Sequence, residues 1–440
     1  MASRTAPPDT TDHEEHPAQR RVLRVLVVTQ ILSGAALAAG ITVGALLAEE
    51  MLGSTGLAGV PSALFTIGAA VGAAGIGRAC QRWGRRPGLT LGYGGGAFGS
   101  LLVVAATMYD SVPLLFLGLL VYGAGTASVM LARYAGADLA APERRGRAVS
   151  TVLFATAAGA VAGPGLVEVM GDLAHLWDIP RLAGPFLLAF AAFASASLVL
   201  GTFLRPDPLL LARDTPGPPT ADTAPGGDGP ATAPAAGGLK GVPGEDLRRM
   251  AAGAAVMVLS QVVMIAIMTM TPIHMNDHGH GTGTAGVVIG LHMAAMYLSS
   301  PLSGYLVDRV GRTPTAALGA AVLTVATLTA YFAPLGSGVA LALALVLLGI
   351  GWNLGFVSGT TMVADAAPPD RRAAYQGLMD VGVLIAGAGG SLASGVLVAS
   401  GGFRLLTGIG AALALVSAVT LAARQARPRT AAPAAGDHTA

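Results

Sequence analysis

The chain is poor in charge, cysteine and aromatic residues. Only 11% of its 440 residues are charged, less than half of the roughly one quarter usual in soluble domains. A soluble enzyme of this size would lack charged surface, so that class is set aside. The single cysteine, Cys80, excludes an internal disulfide and a cysteine-based metal cage. Lys240 is the only lysine among 26 basic residues. A net charge of +2 and an aromatic content of 5% offer no broad basic surface for nucleic acid. No Gly-x4-Gly-Lys-Ser/Thr phosphate cradle is present. No catalytic constellation stands out either, and neither a cofactor nor enzymatic activity is expected.

Apolar residues are plentiful. They make up 53% of the chain, and the mean hydropathy is +0.64. A membrane span needs about 20 mostly apolar residues. Twelve such stretches are legible, at 22–48, 57–77, 88–108, 113–135, 148–168, 183–204, 250–273, 283–306, 314–333, 338–363, 373–399 and 404–423. An all-α polytopic membrane protein is therefore expected, with six-helix halves at 22–204 and 250–423. Residues 205–249, rich in Pro, Ala, Gly, Thr and Asp, read as a flexible linker. Residues 1–21 and 424–440 read as disordered tails, the first without the apolar core of a signal peptide.

Arginine sets the expected orientation. With the N-terminus inside, Arg78, Arg82, Arg85, Arg86, Arg144, Arg145, Arg147, Arg309, Arg312, Arg371 and Arg372 all face the cytoplasm. Only Arg181 and Arg404 fall in outer loops. The positive-inside rule then places both termini in the cytoplasm.

The halves repeat. GRACQRWGRRP at 77–87 matches GYLVDRVGRTP at 304–314, and ADLAAPERR at 137–145 matches ADAAPPDRR at 364–372. Both pairs share an offset of 227 residues, the mark of a duplicated six-helix unit, and such parallel halves are a transporter architecture.

The loop motif Gly77, Gln81, Arg82, Gly84, Arg85, Arg86, Pro87 and its second copy Gly304, Asp308, Arg309, Gly311, Arg312, Pro314 resemble the signature of the major facilitator superfamily. The resemblance covers essentially the whole chain. It implies twelve transmembrane helices in two pseudo-symmetric bundles, working by alternating access on a small-molecule substrate. It also implies latches in which the loop arginine meets an acid, here Arg82 with Asp138 and Arg309 with Asp365. Solvated arginines that merely anchor the interface are the plainer alternative. Gln81 stands where the family usually has Asp, so the first latch is expected to lack one charge.

Gly159-Ala-Val-Ala-Gly163-Pro164 in span five resembles the motif of antiporting exporters, particularly drug:proton antiporters. Close helix packing with a proline bend is the plainer account. In span four, Leu119 occupies the place of the exporters' usual arginine; Arg133 lies farther along, near the cytoplasmic end.

A proton-coupled carrier needs a titratable group that can be buried and exposed in turn. Asp380, about 10 Å into span eleven at helical rise, and His292 in span eight are the candidates. A structural hydrogen bond is the alternative for each. Glu49, Glu50 and Glu168 sit at outer helix ends as gate or cap. On the spans that line the superfamily's cavity, Gln30, Gln261, Asn353, Thr360 and Thr361 are candidate substrate contacts. Trp352 offers either a stacking surface or a packing ring. Met264, Met268 and Met270 offer either a pliable wall or ordinary packing. His274, Asp277, His278 and His280 cluster in an outer loop without a recognised metal spacing, so no metal is expected.

The expected function is export of a small, moderately apolar molecule by proton antiport across the cytoplasmic membrane. Uptake of a nutrient or vitamin is the alternative, and a transport-dead sensor or scaffold the third. The partners are the substrate, protons and the bilayer, with one chain sufficient as a monomer.

Overall fold

A computed structural model describes residues 16–52, 59–214, 243–280, 282–334, 337–368 and 370–426. Among them no strand occurs, and the chain is helix joined by short turns. The first half holds α1 (Gln19–Leu52), α2 (Gly59–Trp83), α3 (Arg85–Met108), α4 (Val112–Ala137), α5 (Arg145–His175) and α6 (Gly184–Phe203). A short helix, α7 (Pro208–Asp214), follows. The second half holds α8 (Gly244–Asp277), α9 (Thr282–Leu298), α10 (Ser300–Arg309), α11 (Arg312–Phe332), α12 (Gly338–Ala366) and α13 (Arg372–Ala426).

These helices account for the twelve expected crossings. Among the described residues, eight helical stretches are long and apolar enough to span a membrane by length and composition. The longest runs through Gly401 and Gly402, where the backbone leaves helical geometry and Gly402 takes φ +73°. Glycine tolerates that left-handed conformation at no steric cost. It divides α13 into two arms, the expected eleventh and twelfth spans. The eighth span is broken into α9 and α10 next to Pro301, which has no N–H to continue the helix ladder. α1, α2 and α5, of 34, 25 and 31 residues, complete the set.

Within each half the helices approach closely because glycine faces glycine. At the α3–α4 crossing, a Cβ on Gly125 would lie 2.1 Å from the Gly96 Cα. In lipid, where apolar burial between helices adds little, such contact is what holds a bundle together. Each half packs on itself, and α2 against the first arm of α13 and α5 against α10 join the two.

The expected linker is shorter than 205–249. Residues 208–214 are helical, and α8 begins at Gly244 rather than at 250. Asp207 explains the first difference, since its carboxylate accepts from the Leu209 and Leu210 N–H groups at 3.0 and 3.3 Å. Glu245 and Asp246 in the first turn of α8 favour the second by facing the positive helix end. Residues 215–242 and most of both expected tails lie outside the described residues.

Candidate functional site

Arg133 sits in the last turns of α4, one turn short of the arginine-rich end. Its side chain is fully buried, so its charge must be met inside the protein. Two guanidinium nitrogens donate to the two carboxylate oxygens of Asp380, at 3.0 and 2.5 Å. Asp380 belongs to the first arm of α13, so this fork crosses from one bundle to the other. The Arg133 Nε donates to Thr360 Oγ1 at 3.1 Å, a second nitrogen to the Tyr134 hydroxyl at 3.1 Å, and a third bond reaches the Met130 carbonyl. The rings of Tyr134 and Phe356 flank the guanidinium at 4.3 and 4.6 Å. Arg133 and Thr360 are themselves 227 residues apart, so the pair lies where the two repeats face each other.

Toward the arginine-rich end the expected latches form with different arginines. Asp138 takes Arg85 at 2.7 Å, and Asp365 takes Arg312 at 2.9 Å. Arg82 lies instead beside the Trp83 ring, and Arg309 donates to the Tyr305 hydroxyl at 2.6 Å. The correction is three residues, across the glycine that separates two helices. Arg85 and Arg312 open α3 and α11, where they reach the ends of α4 and α12; Arg82 and Arg309 close the preceding helices. Each pair is then tied across the halves. Arg85 also donates to Gln376 Oε1 of α13, and Asp365 also binds Arg145 of α5 at 2.5 Å.

The motif's fifth position caps a helix of the opposite bundle. Asp308 accepts from the Gly146 and Arg147 N–H groups that open α5, at 2.7 and 2.9 Å. Gln81 Oε1 accepts from the Ala373 and Ala374 N–H groups that open α13, at 2.9 and 3.4 Å. Its Nε2 donates to the Asp370 carbonyl as well. The expected defect at Gln81 is therefore loss of charge only, because the acceptor is kept. Gly77 and Gly304 let these helices meet: a Cβ on Gly77 would lie 3.0 Å from the Gly377 Cα, and one on Gly304 2.7 Å from the Gly146 carbonyl oxygen. Gly84 and Gly311 turn the chain between helices at φ +97° and +109°.

The polar residues expected to hold substrate are mostly engaged within one bundle. Gln30 is buried; it donates to the Val129 carbonyl and Thr156, and it accepts from the Tyr93 hydroxyl at 2.6 Å. Asn353 is buried and donates to Ser300 at 2.8 Å. Thr360 holds Arg133, and Thr361 donates to its own helix. These four are fastened into the packing, which removes them from any open surface. Gln261 is half-buried and accepts from the Trp352 indole N–H at 2.9 Å. Trp352 is buried and stacks on Phe356 at 4.6 Å, so its ring packs against protein. Met264 is buried, while Met268 and Met270 are half-buried against the same core. His292 is buried between α9 and α12, with Nδ1 2.7 Å from the Leu345 carbonyl. Gly159 is a packing position, since a Cβ there would lie 2.0 Å from the Ile31 carbonyl oxygen. Side chains at Gly163, Pro164, Glu49, Glu50 and Glu168 lie outside the described residues. His274 stacks on Phe403 at 4.3 Å.

Sequence reasoning named Asp380 but not its partner. Arg133 falls within the predicted fourth span, and an ionisable residue there was the available signal. Tyr134, Phe356 and Gln376 carry no such mark.

Two six-helix bundles, related by a repeat and tied by ion pairs at one end, define a multi-pass membrane carrier. Residues 26–282 and 251–439 match the Major Facilitator Superfamily, and the chain belongs to it as a secondary transporter. It is 48% identical over 397 residues to the MFS-type transporter YdeG of Bacillus subtilis (strain 168), covering 90% of each chain. It is 30% identical over 372 residues to the riboflavin transporter RfnT of Brucella anthropi, covering 82% of this chain and 85% of that one. The fold is similar to the human organic anion transporter MFSD10, with a TM-score of 0.71 at 17% identity, over 92% of this chain and 100% of that one.

Proposed function

We propose that the chain exports a small, moderately apolar molecule, such as a drug or secondary metabolite, in exchange for protons. The Arg133–Asp380 fork between the bundles carries this reading. We place the arginine-rich end in the cytoplasm, which makes the tied end the inner gate. For that end to open, the fork must part. Parting it with Asp380 ionised gives up a two-point charge-assisted contact, each bond of which is worth about 1.5–3 kcal/mol. A proton on Asp380 removes one charge, while Arg133 keeps the Tyr134 hydroxyl and ring and the Met130 carbonyl of its own helix. A proton arriving from outside thus releases the inner gate and leaves to the cytoplasm as substrate binds there. His292 is passed over because its ring is held by the Leu345 carbonyl of its own bundle, a bond that parting the bundles does not break.

The similarity to a riboflavin transporter favours a second reading, uptake of a flat, vitamin-like molecule through the same gate. Proteoliposomes holding a pH-sensitive dye, screened with antibiotics, dyes and riboflavin, separate the two. Antiport predicts proton release from the lumen as substrate enters, lost in Asp380→Asn. Substrate entry with no proton movement would overturn the coupling.

A further inference from the structure

A groove of about 560 Å³ runs down the outside of the second bundle, between α8 and the second arm of α13. Its walls are apolar and small on the α8 side, with Ala252, Ala255 and Leu259 facing Leu413 and Val416. Thr420, farther along, spends its hydroxyl on the Val416 carbonyl of its own helix. The groove begins at Arg248, in the second turn of α8.

Arg248 and its neighbour differ in a telling way. Arg249 is held by Glu245 at 2.5 Å and lies 4.0 Å from Asp246. Arg248 is exposed, pairs with no carboxylate among the described residues, and is the one that lines the groove. From Arg248 to Leu259 the helix rises about 16 Å, close to half of a hydrocarbon core about 30 Å thick. The groove is therefore one leaflet deep, with a cation at the membrane surface and an acyl-chain-sized trough below it. Basic pockets between transmembrane helices suit anionic lipid head groups, and the guanidinium fork suits a phosphate in particular.

We infer that this groove is a binding site for one anionic phospholipid of the leaflet at the arginine-rich end, with its phosphate on Arg248 and one acyl chain against Ala252 and Ala255. The lipid would fill the bundle's open flank at the point where the chain enters α8. It is independent of the Arg133–Asp380 pair and of what is transported.

Native mass spectrometry of the full-length protein, released from vesicles of equimolar phosphatidylglycerol and phosphatidylcholine, tests this. The wild type should retain one phosphatidylglycerol at least fivefold more often than phosphatidylcholine. Arg248→Gln, at an exposed position outside the packing, should bring that ratio to about one. Ala255→Trp should reduce retention of both lipids by fivefold or more. An unchanged ratio in Arg248→Gln would overturn the assignment, as would equal retention of the two lipids by the wild type.

Discussion

Gln81 and Asp308, 227 residues apart, each accept two backbone N–H groups from the first turn of a helix in the opposite bundle. They differ by one charge. A carboxylate facing a helix N-terminus gains about 0.3–1 kcal/mol over a neutral acceptor, so the repeat closes its two seams unequally. Asp308→Asn keeps an acceptor and removes the charge. It should disfavour the closed arginine-rich end by about two- to fivefold, measured as the closed fraction in a spin-label distance distribution. Asp308→Ala removes the acceptor as well and should shift that fraction the same way by about 0.5–2 kcal/mol.

The latch arginines make a sharper contrast. Arg85→Ala strands the buried carboxylate of Asp138 and should cost about 3–5 kcal/mol. Arg82→Ala, on an exposed side chain at the end of the preceding helix, should stay within about 0.5 kcal/mol. The protein supplies its own reporter: Cys80 is its only cysteine and is buried. A maleimide dye that fluoresces on reaching it follows thermal unfolding in detergent. Equal melting temperatures for the two variants would place the latch elsewhere.

Gln30 should behave as a structural residue. Its carboxamide binds Val129, Thr156, Tyr93 and Ser33, all within the first bundle. Buried hydrogen bonds between membrane helices average about 0.6 kcal/mol, so Gln30→Leu should lower stability by about 2 kcal/mol over its four bonds. The substrate KM should not change; a tenfold rise with unaltered melting would return Gln30 to the binding site.

Gly159 tests the same distinction in span five. Its missing side chain lets α5 lie on the Ile31 carbonyl of α1. Gly159→Val should cost about 1–3 kcal/mol through overpacking, seen in the same Cys80 melting assay. Proton stoichiometry in the surviving protein should be intact.

Much of this was legible in the sequence, for a physical reason. Lipid demands long apolar helices, and duplication prints its offset wherever the same turn is built twice, so the crossings, the halves and the loop glycines could be read directly. Which arginine meets Asp138 could not, because Arg82 and Arg85 lie at the same interface on either side of the Gly84 turn, and the turn decides which of them points at α4. Polar residues misled for a related reason. Gln30 and Asn353 look like cavity residues by span number, but rotation about the helix axis decides whether they face an opening or a neighbour. Asp380 stood out as a lone carboxylate in a span, and Arg133 was legible within span four; their pairing became visible only when α4 was placed against α13.

The central claim is that a proton on Asp380 releases the tie between the bundles. Spin labels on Thr202→Cys and Ala423→Cys, in a Cys80→Ser background, report the distance between the arginine-rich ends of α6 and α13. The account predicts a short distance in the wild type and a longer one in Asp380→Asn. A short distance in both would contradict it.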